Sequence, residues 1–143
     1  MSGFAAFEQA IQERMVAEWA AGPYASIPVV YDNLVGGFER GMAPWIALTL
    51  QEGDGDRVSL PPMPIERFTG VISAQIFVRK NTGTRMARHY GDAVAEIFRW
   101  KQFEVEGSGQ ITTKTPSIVH VGESDGWYQI NVSIPYERDR VNS

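Results

Sequence analysis

Two histidines, one acidic run and one turn ahead of a helix carry residue types that could do chemistry, and each fails at the spacing that chemistry requires. Glu52-Gly53-Asp54-Gly55-Asp56 suggests a calcium loop, but a loop starting at Asp54 needs a bidentate Glu at its twelfth position, which is Ile65. Asp and Gly are also the residues that turns demand, so the run is expected to be a polar hairpin tip. His89 and His120 have no third ligand at a recognisable spacing, which predicts structural or surface roles rather than zinc binding or acid–base work. Lys80-Asn81-Thr82-Gly83-Thr84 lacks the Gly-Lys-Ser/Thr ending of a phosphate loop, and Thr82 or Thr84 is better placed to cap the helix that follows. No Gly-x-Ser-x-Gly elbow exposes a serine nucleophile. There is no cysteine, so disulfides and thiolate metal sites are ruled out. Asn131-Val132-Ser133 matches a glycosylation sequon only in the middle of an expected strand. Catalytic, metal-binding and cofactor-binding residues are therefore all expected to be none, and the chain is not read as an enzyme.

Two other groups point to contacts instead. Arg79, Lys80, Arg85 and Arg88 cluster around the turn and the start of a helix, where cations oppose the macrodipole. That placement suggests an acidic partner, Glu or Asp of another subunit; the competing reading is a solvated face. Leu60-Pro61-Pro62-Met63-Pro64-Ile65 sets apolar side chains among three prolines, which prevent regular structure. Leu60, Met63 and Ile65 are unusual for a solvated loop and are expected either to form a contact arm or to fold back on their own domain.

The elements that position these groups follow from periodicity. From Arg67 to Val78, the even residues Phe68, Ile72, Ala74, Ile76 and Val78 are apolar, so one face of a strand is packed and the other is mixed. Met86, Tyr90, Ala93, Val94, Ile97 and Phe98 then recur at helical spacing and need that packed face as a partner. An earlier helix carries Phe4, Phe7, Ile11, Met15 and Trp19 along one side and stops at Gly22-Pro23. Short strands are expected at 28–31 and 45–50, with 51–66 irregular between them and the central strand. Gly107-Ser108-Gly109 and Gly122–Gly126 mark two hairpins. In the last strand Tyr128, Ile130, Val132, Ile134 and Tyr136 alternate with Trp127, Gln129, Asn131 and Ser133, which pins its register. Glu137 to Ser143 is expected to fray.

The result is a single α+β domain spanning 1–143. It has a mostly antiparallel sheet with two amphipathic helices packed on one face, in the order α-β-β-β-α-β-β-β, with the later strands in hairpins. A chain of 143 residues can bury about 70% of its unfolded surface unaided. The net charge of −4 argues against a general nucleic-acid binder, although a mildly acidic wall would let DNA slide past. Glu8, Glu13 and Arg14 interrupt any signal-peptide core, and no apolar run is long enough to span a bilayer. A soluble cytoplasmic protein is expected.

Phe68-Thr69-Gly70, Gln75-Ile76-Phe77-Val78, the Gly83-Thr84 turn and Gly91–Phe98 resemble the tail-terminator-like proteins of tailed bacteriophages, of the minor tail protein U type. So does the ending Gly126–Tyr136. Many members have a proline and small residues where this chain has Arg79-Lys80. The resemblance covers most of the chain and implies a homo-hexameric ring on the head-proximal end of the tail tube. Such a ring would stop tube polymerisation and join the tail to the head connector. It further implies a virion location after assembly in host cytoplasm, partners in the tail tube and connector proteins, passage of DNA through the ring without specific binding, and no membrane. A neck adaptor is the alternative within that setting, and a small-molecule-binding α+β domain is the alternative from another class. The interface residues proposed on this reading are Leu60, Met63, Ile65, Arg79, Lys80, Arg85 and Arg88. Loss of assembly on deleting the Leu60–Ile65 arm would support its role.

Overall fold

The computed structural model describes residues 4–31, 44–57, 65–79, 85–105, 109–124 and 126–141. Within them α1 (Phe4–Ala21) leads to β1 (Val29–Tyr31), β2 (Trp45–Arg57), β3 (Ile65–Arg79) and α2 (Arg85–Phe98). Two hairpins then supply β4 (Gln102–Val105), β5 (Gly109–Thr113), β6 (Ser117–Ser124) and β7 (Trp127–Val141). The fold is α+β: the strands form one curled sheet in the order β1-β2-β3-β7-β5-β4, with β6 also on β7. Among the described strands, only β1 and β2 run parallel.

The alternation read from the sequence decides which face is packed. Ile72, Ala74, Ile76 and Val78 of β3 are buried with Ile130, Val132, Ile134 and Tyr136 of β7. The two strands pair along their whole length, from Ile65↔Val141 to Arg79↔Trp127, so these sets lie side by side under the helices. Phe7, Ile11, Met15 and Trp19 of α1 and Val94 and Phe98 of α2 complete the core. Each fully buried large side chain of this kind stabilises the fold by about 1.5–3 kcal/mol before entropy is counted.

Three expectations are corrected. First, 51–66 is not irregular throughout, and Glu52–Asp56 is not a hairpin tip. β2 continues through it to Arg57, pairing Gly55↔Phe68, Asp56↔Arg67 and Arg57↔Glu66, with a register shift between Glu52 and Gly55. Pairing with a long, fixed neighbour outweighs the weak strand preference of Asp and Gly, and the bulge absorbs the extra residues. Second, residues 137–141 continue β7, hydrogen-bonded on one side to β3 and on the other to β5. A charged sequence reads as a fraying tail only when nothing flanks it. Third, Met86 is 44% exposed, while Ala87, Gly91 and Ala95 face inward with Tyr90, Val94, Ile97 and Phe98. α2 sits close to the sheet, and a Cβ at Gly91 would lie 3.2 Å from Val132 Cγ2, so small residues take the face that hydropathy alone assigns to a larger one.

Candidate assembly surfaces

The helix α2 has one flank towards α1 and another towards β6, and the two differ in chemistry. On the α1 flank, a groove of about 450 Å³ opens between the end of α1 and α2. Trp19, Pro23, Tyr24, Ala93 and Ile97 line its apolar part, and Glu18, Asp92 and Glu96 bring carboxylates to it. The aromatic floor is fixed: Trp19 Nε1 donates to Ile27 O at 3.0 Å, and Tyr24 meets Tyr90 edge-on with centroids 4.9 Å apart. Burial raises the Tyr90 phenol above its ordinary range, assisted by Tyr24. His89 also lines this groove and is exposed.

On the β6 flank, Arg88, Asp92 and Arg99 line a second hollow with Pro116, Ser117 and Ile118, and Arg99 Nε pairs with Glu96 Oε1 at 3.1 Å. The Arg88 guanidinium lies 2.6 Å from His120 Nε2, and His120 Nδ1 lies 2.8 Å from Tyr128 Oη. Because a guanidinium has no acceptor, Nε2 must accept and the ring proton sits on Nδ1, donating to the phenol oxygen. Among the described residues no group of three His, Cys, Asp or Glu side chains is gathered as for a metal. The Arg85 side chain is exposed in the first turn of the same helix.

The C-terminal end of α2 is held by other elements, since its own last turn contains no base. Arg14 of α1 donates from Nε to Ile97 O at 2.9 Å and lies over the Phe103 ring at 5.3 Å, placing a cation where the macrodipole favours one. Buried Thr113 of β5 donates from Oγ1 to Phe98 O and accepts from Lys101 N at 2.8 Å. Between these anchors Trp100 adopts φ 49°, the left-handed conformation that closes helices and that glycine usually supplies. A side chain there costs about 1–2 kcal/mol. Trp100 is nevertheless 65% exposed, with Nε1 donating to Thr115 Oγ1 at 3.0 Å. Trp100 and the groove are absent from the interface residues expected above. The signal available for Trp100 was Arg99-Trp100-Lys101 at a helix end that lacks Gly or Asn.

The sheet face away from the helices is graded. At one end Trp45 stacks on Phe77 at 4.1 Å, Trp127 meets Trp45 edge-on at 6.5 Å, and the Arg79 guanidinium lies 5.5 Å from the Trp127 ring. At the other end Arg67 donates twice to Asp139, at 2.8 and 3.1 Å, and Lys114 approaches Glu137 at 3.7 Å. On the helix side of β7, Arg138 is 2% exposed between Phe68 at 4.4 Å and Phe7 at 4.9 Å. Burial raises the neighbouring Tyr136 phenol far above its ordinary range. Burial also raises Glu52, while Arg138 draws it down and Glu8 adds to the rise.

Of the interface residues expected from sequence, Arg85 and Arg88 share the outer side of α2, and Arg79 belongs to the aromatic end of the sheet. Ile65 opens β3 opposite Val141. Leu60, Met63 and Lys80 lie outside the described residues, as does the turn at 81–84. No helix among the described residues is long and apolar enough to cross a membrane.

A family model described as phage tail terminator protein matches residues 6–136. No curated protein matches the chain. A similar solved structure, which has no descriptive name, superposes with a TM-score of 0.74 over 100% of this chain and 98% of its own, at 13% identity. At that identity the likeness speaks for the fold.

Proposed function

The chain belongs to the phage tail terminator family, a family of structural tail components, and from that premise we propose that it forms a hexameric ring on the head-proximal end of the tail tube. There the ring stops tube polymerisation and provides the joint to the head connector, and DNA passes through its opening without specific contact. The family match over 6–136 carries this reading. It is supported by the two unlike flanks of α2, because a ring requires a heterologous contact between different patches that closes on rotation. The connection carrying Leu60 and Met63, at the end of the long β2–β3 hairpin, is proposed as an additional arm to a neighbour or to the tube.

The test is mass and tube length together. The purified protein should show six chains by light scattering and rings by electron microscopy, and adding it to polymerising tube protein should arrest growth. Unarrested tubes alongside binding to the connector would assign it to the neck instead. A monomer holding a small molecule in the α1–α2 groove would refute an assembly role.

A further inference from the structure

We infer that Trp100 is the anchor of the contact between copies of this chain, and that it seats in the groove between α1 and α2 of a second copy. This rests on the ring reading and names the contact that would close it. Trp100 is the most exposed large apolar side chain among the described residues, at 65%, yet it is not loosely held. Its φ of 49° is set by Thr113, which clamps Phe98 O and Lys101 N on either side, and its indole is aimed by Thr115. A strained turn that presents a rigid aromatic to solvent suits an interface anchor, the position where Trp is most enriched.

The second copy's groove is the complementary surface. Its floor includes Trp19, Tyr24, Ala93 and Ile97, with carboxylates of Glu18 and Asp92 alongside. Trp100 is flanked by Lys101, which is exposed, and by Arg99, which pairs with Glu96 of its own helix at 3.1 Å. An aromatic beside the cation of Lys101 thus matches an apolar floor bordered by the acids Glu18 and Asp92. An indole offers about 150–250 Å² to bury there. Trp100 reaches towards Thr115 on the β5–β6 side, whereas the groove opens on the α1 side, so one molecule cannot satisfy itself. Successive copies can do so head to tail. The exposed apolar residues Ile118, Val119 and Val121 of β6 belong to the strand just beyond Thr115.

Trp100→Gly tests this without threatening the fold, since glycine relieves the left-handed turn. Folded stability, read by urea unfolding, should be unchanged or higher, while the concentration needed for assembly rises about thirtyfold or more, the usual effect of losing an interface tryptophan. Ala93→Trp should have the same effect on assembly by filling the groove. Trp100→Gly retains a groove and Ala93→Trp retains an anchor, so an equimolar mixture should form a two-chain pair that grows no further, seen by sedimentation. If wild-type rings form and Trp100→Gly forms them equally well, the anchor is overturned and the ring reading stands. If wild type stays monomeric at every concentration, both are overturned. The Trp100→Gly result decides the inference even if Ala93→Trp does not fold.

Discussion

At Gly70 the missing side chain makes room for a neighbouring one. Tyr136 lies directly opposite in the ladder, and its ring crosses the position a Cβ would take. That Cβ would meet Tyr136 Oη, lie 2.6 Å from Tyr136 Cζ and lie 2.5 Å from the backbone oxygen of Gln51. One obstacle can swing away and the other cannot. Gly70→Ala should therefore cost about 3 kcal/mol, at the upper end for overpacking, read as a lower urea midpoint. In a Tyr136→Phe background the same change should cost less, because the two positions are coupled. Equal costs in both backgrounds would show that the Tyr136 hydroxyl is not the obstacle. The sequence presented Phe68-Thr69-Gly70 as a recurring feature without a reason for the glycine, because the reason lies on a strand sixty-six residues further along the chain. Thr113 is a similar case: its hydroxyl closes a helix that its own sequence position does not suggest.

Among the elements, β7 is the one whose role changed most between sequence and structure. Its alternation from Tyr128 to Tyr136 was readable, and the burial of Ile130, Val132, Ile134 and Tyr136 follows it. Its continuation to Val141 was not readable, because a strand of Glu, Arg and Asp is stabilised by neighbours rather than by hydropathy. Those neighbours are Ile65–Thr69 of β3 and Gly109–Thr112 of β5. Its Arg138 also fills the space between Phe7 and Phe68, where a guanidinium stacks on aromatic faces. Ending the chain after Tyr136 should therefore lower the thermal midpoint by roughly ten degrees or more, the shift that a loss of about 3 kcal/mol produces in a domain of this size. A frayed tail would leave the midpoint unchanged. The same logic explains why 51–57 is strand: pairing with β3 fixes the backbone, and the bulge between Glu52 and Gly55 accommodates residues that favour turns.

Across the whole molecule the net charge is −4, and around α2 the charges are divided by flank only in part, since Asp92 borders both sides and Arg99 pairs with Glu96 at 3.1 Å. Arg88 and Arg99 lie on the β6 side of α2, with Arg85 exposed in its first turn, while Glu18 and Glu96 line the opposite groove. Copies meeting head to tail would bring opposite signs together, and salt should weaken that attraction as the screening length falls from about 10 Å at 0.1 M to about 3 Å at 1 M. Wild-type assembly is therefore expected to decline with ionic strength. The Arg85→Glu, Arg88→Glu double variant should assemble less at low salt and respond more weakly to added salt. Identical salt curves for the two proteins would remove these arginines from the contact. The basic cluster was legible in the residue types, because a cation at a helix start opposes the macrodipole wherever the helix lies; its acidic partner is the proposal that the salt curves test. The groove was not legible, since Glu18 and Trp19 meet Asp92 and Ala93 only after α1 and α2 have docked. By itself the sequence determined the α+β class, the packed faces of β3 and β7 and the family, because those depend on local periodicity and residue identity. Only the tertiary structure decided where β2 and β7 end, which side of α2 turns inward and which surfaces are left open to a partner, because each depends on contacts between residues far apart in the chain.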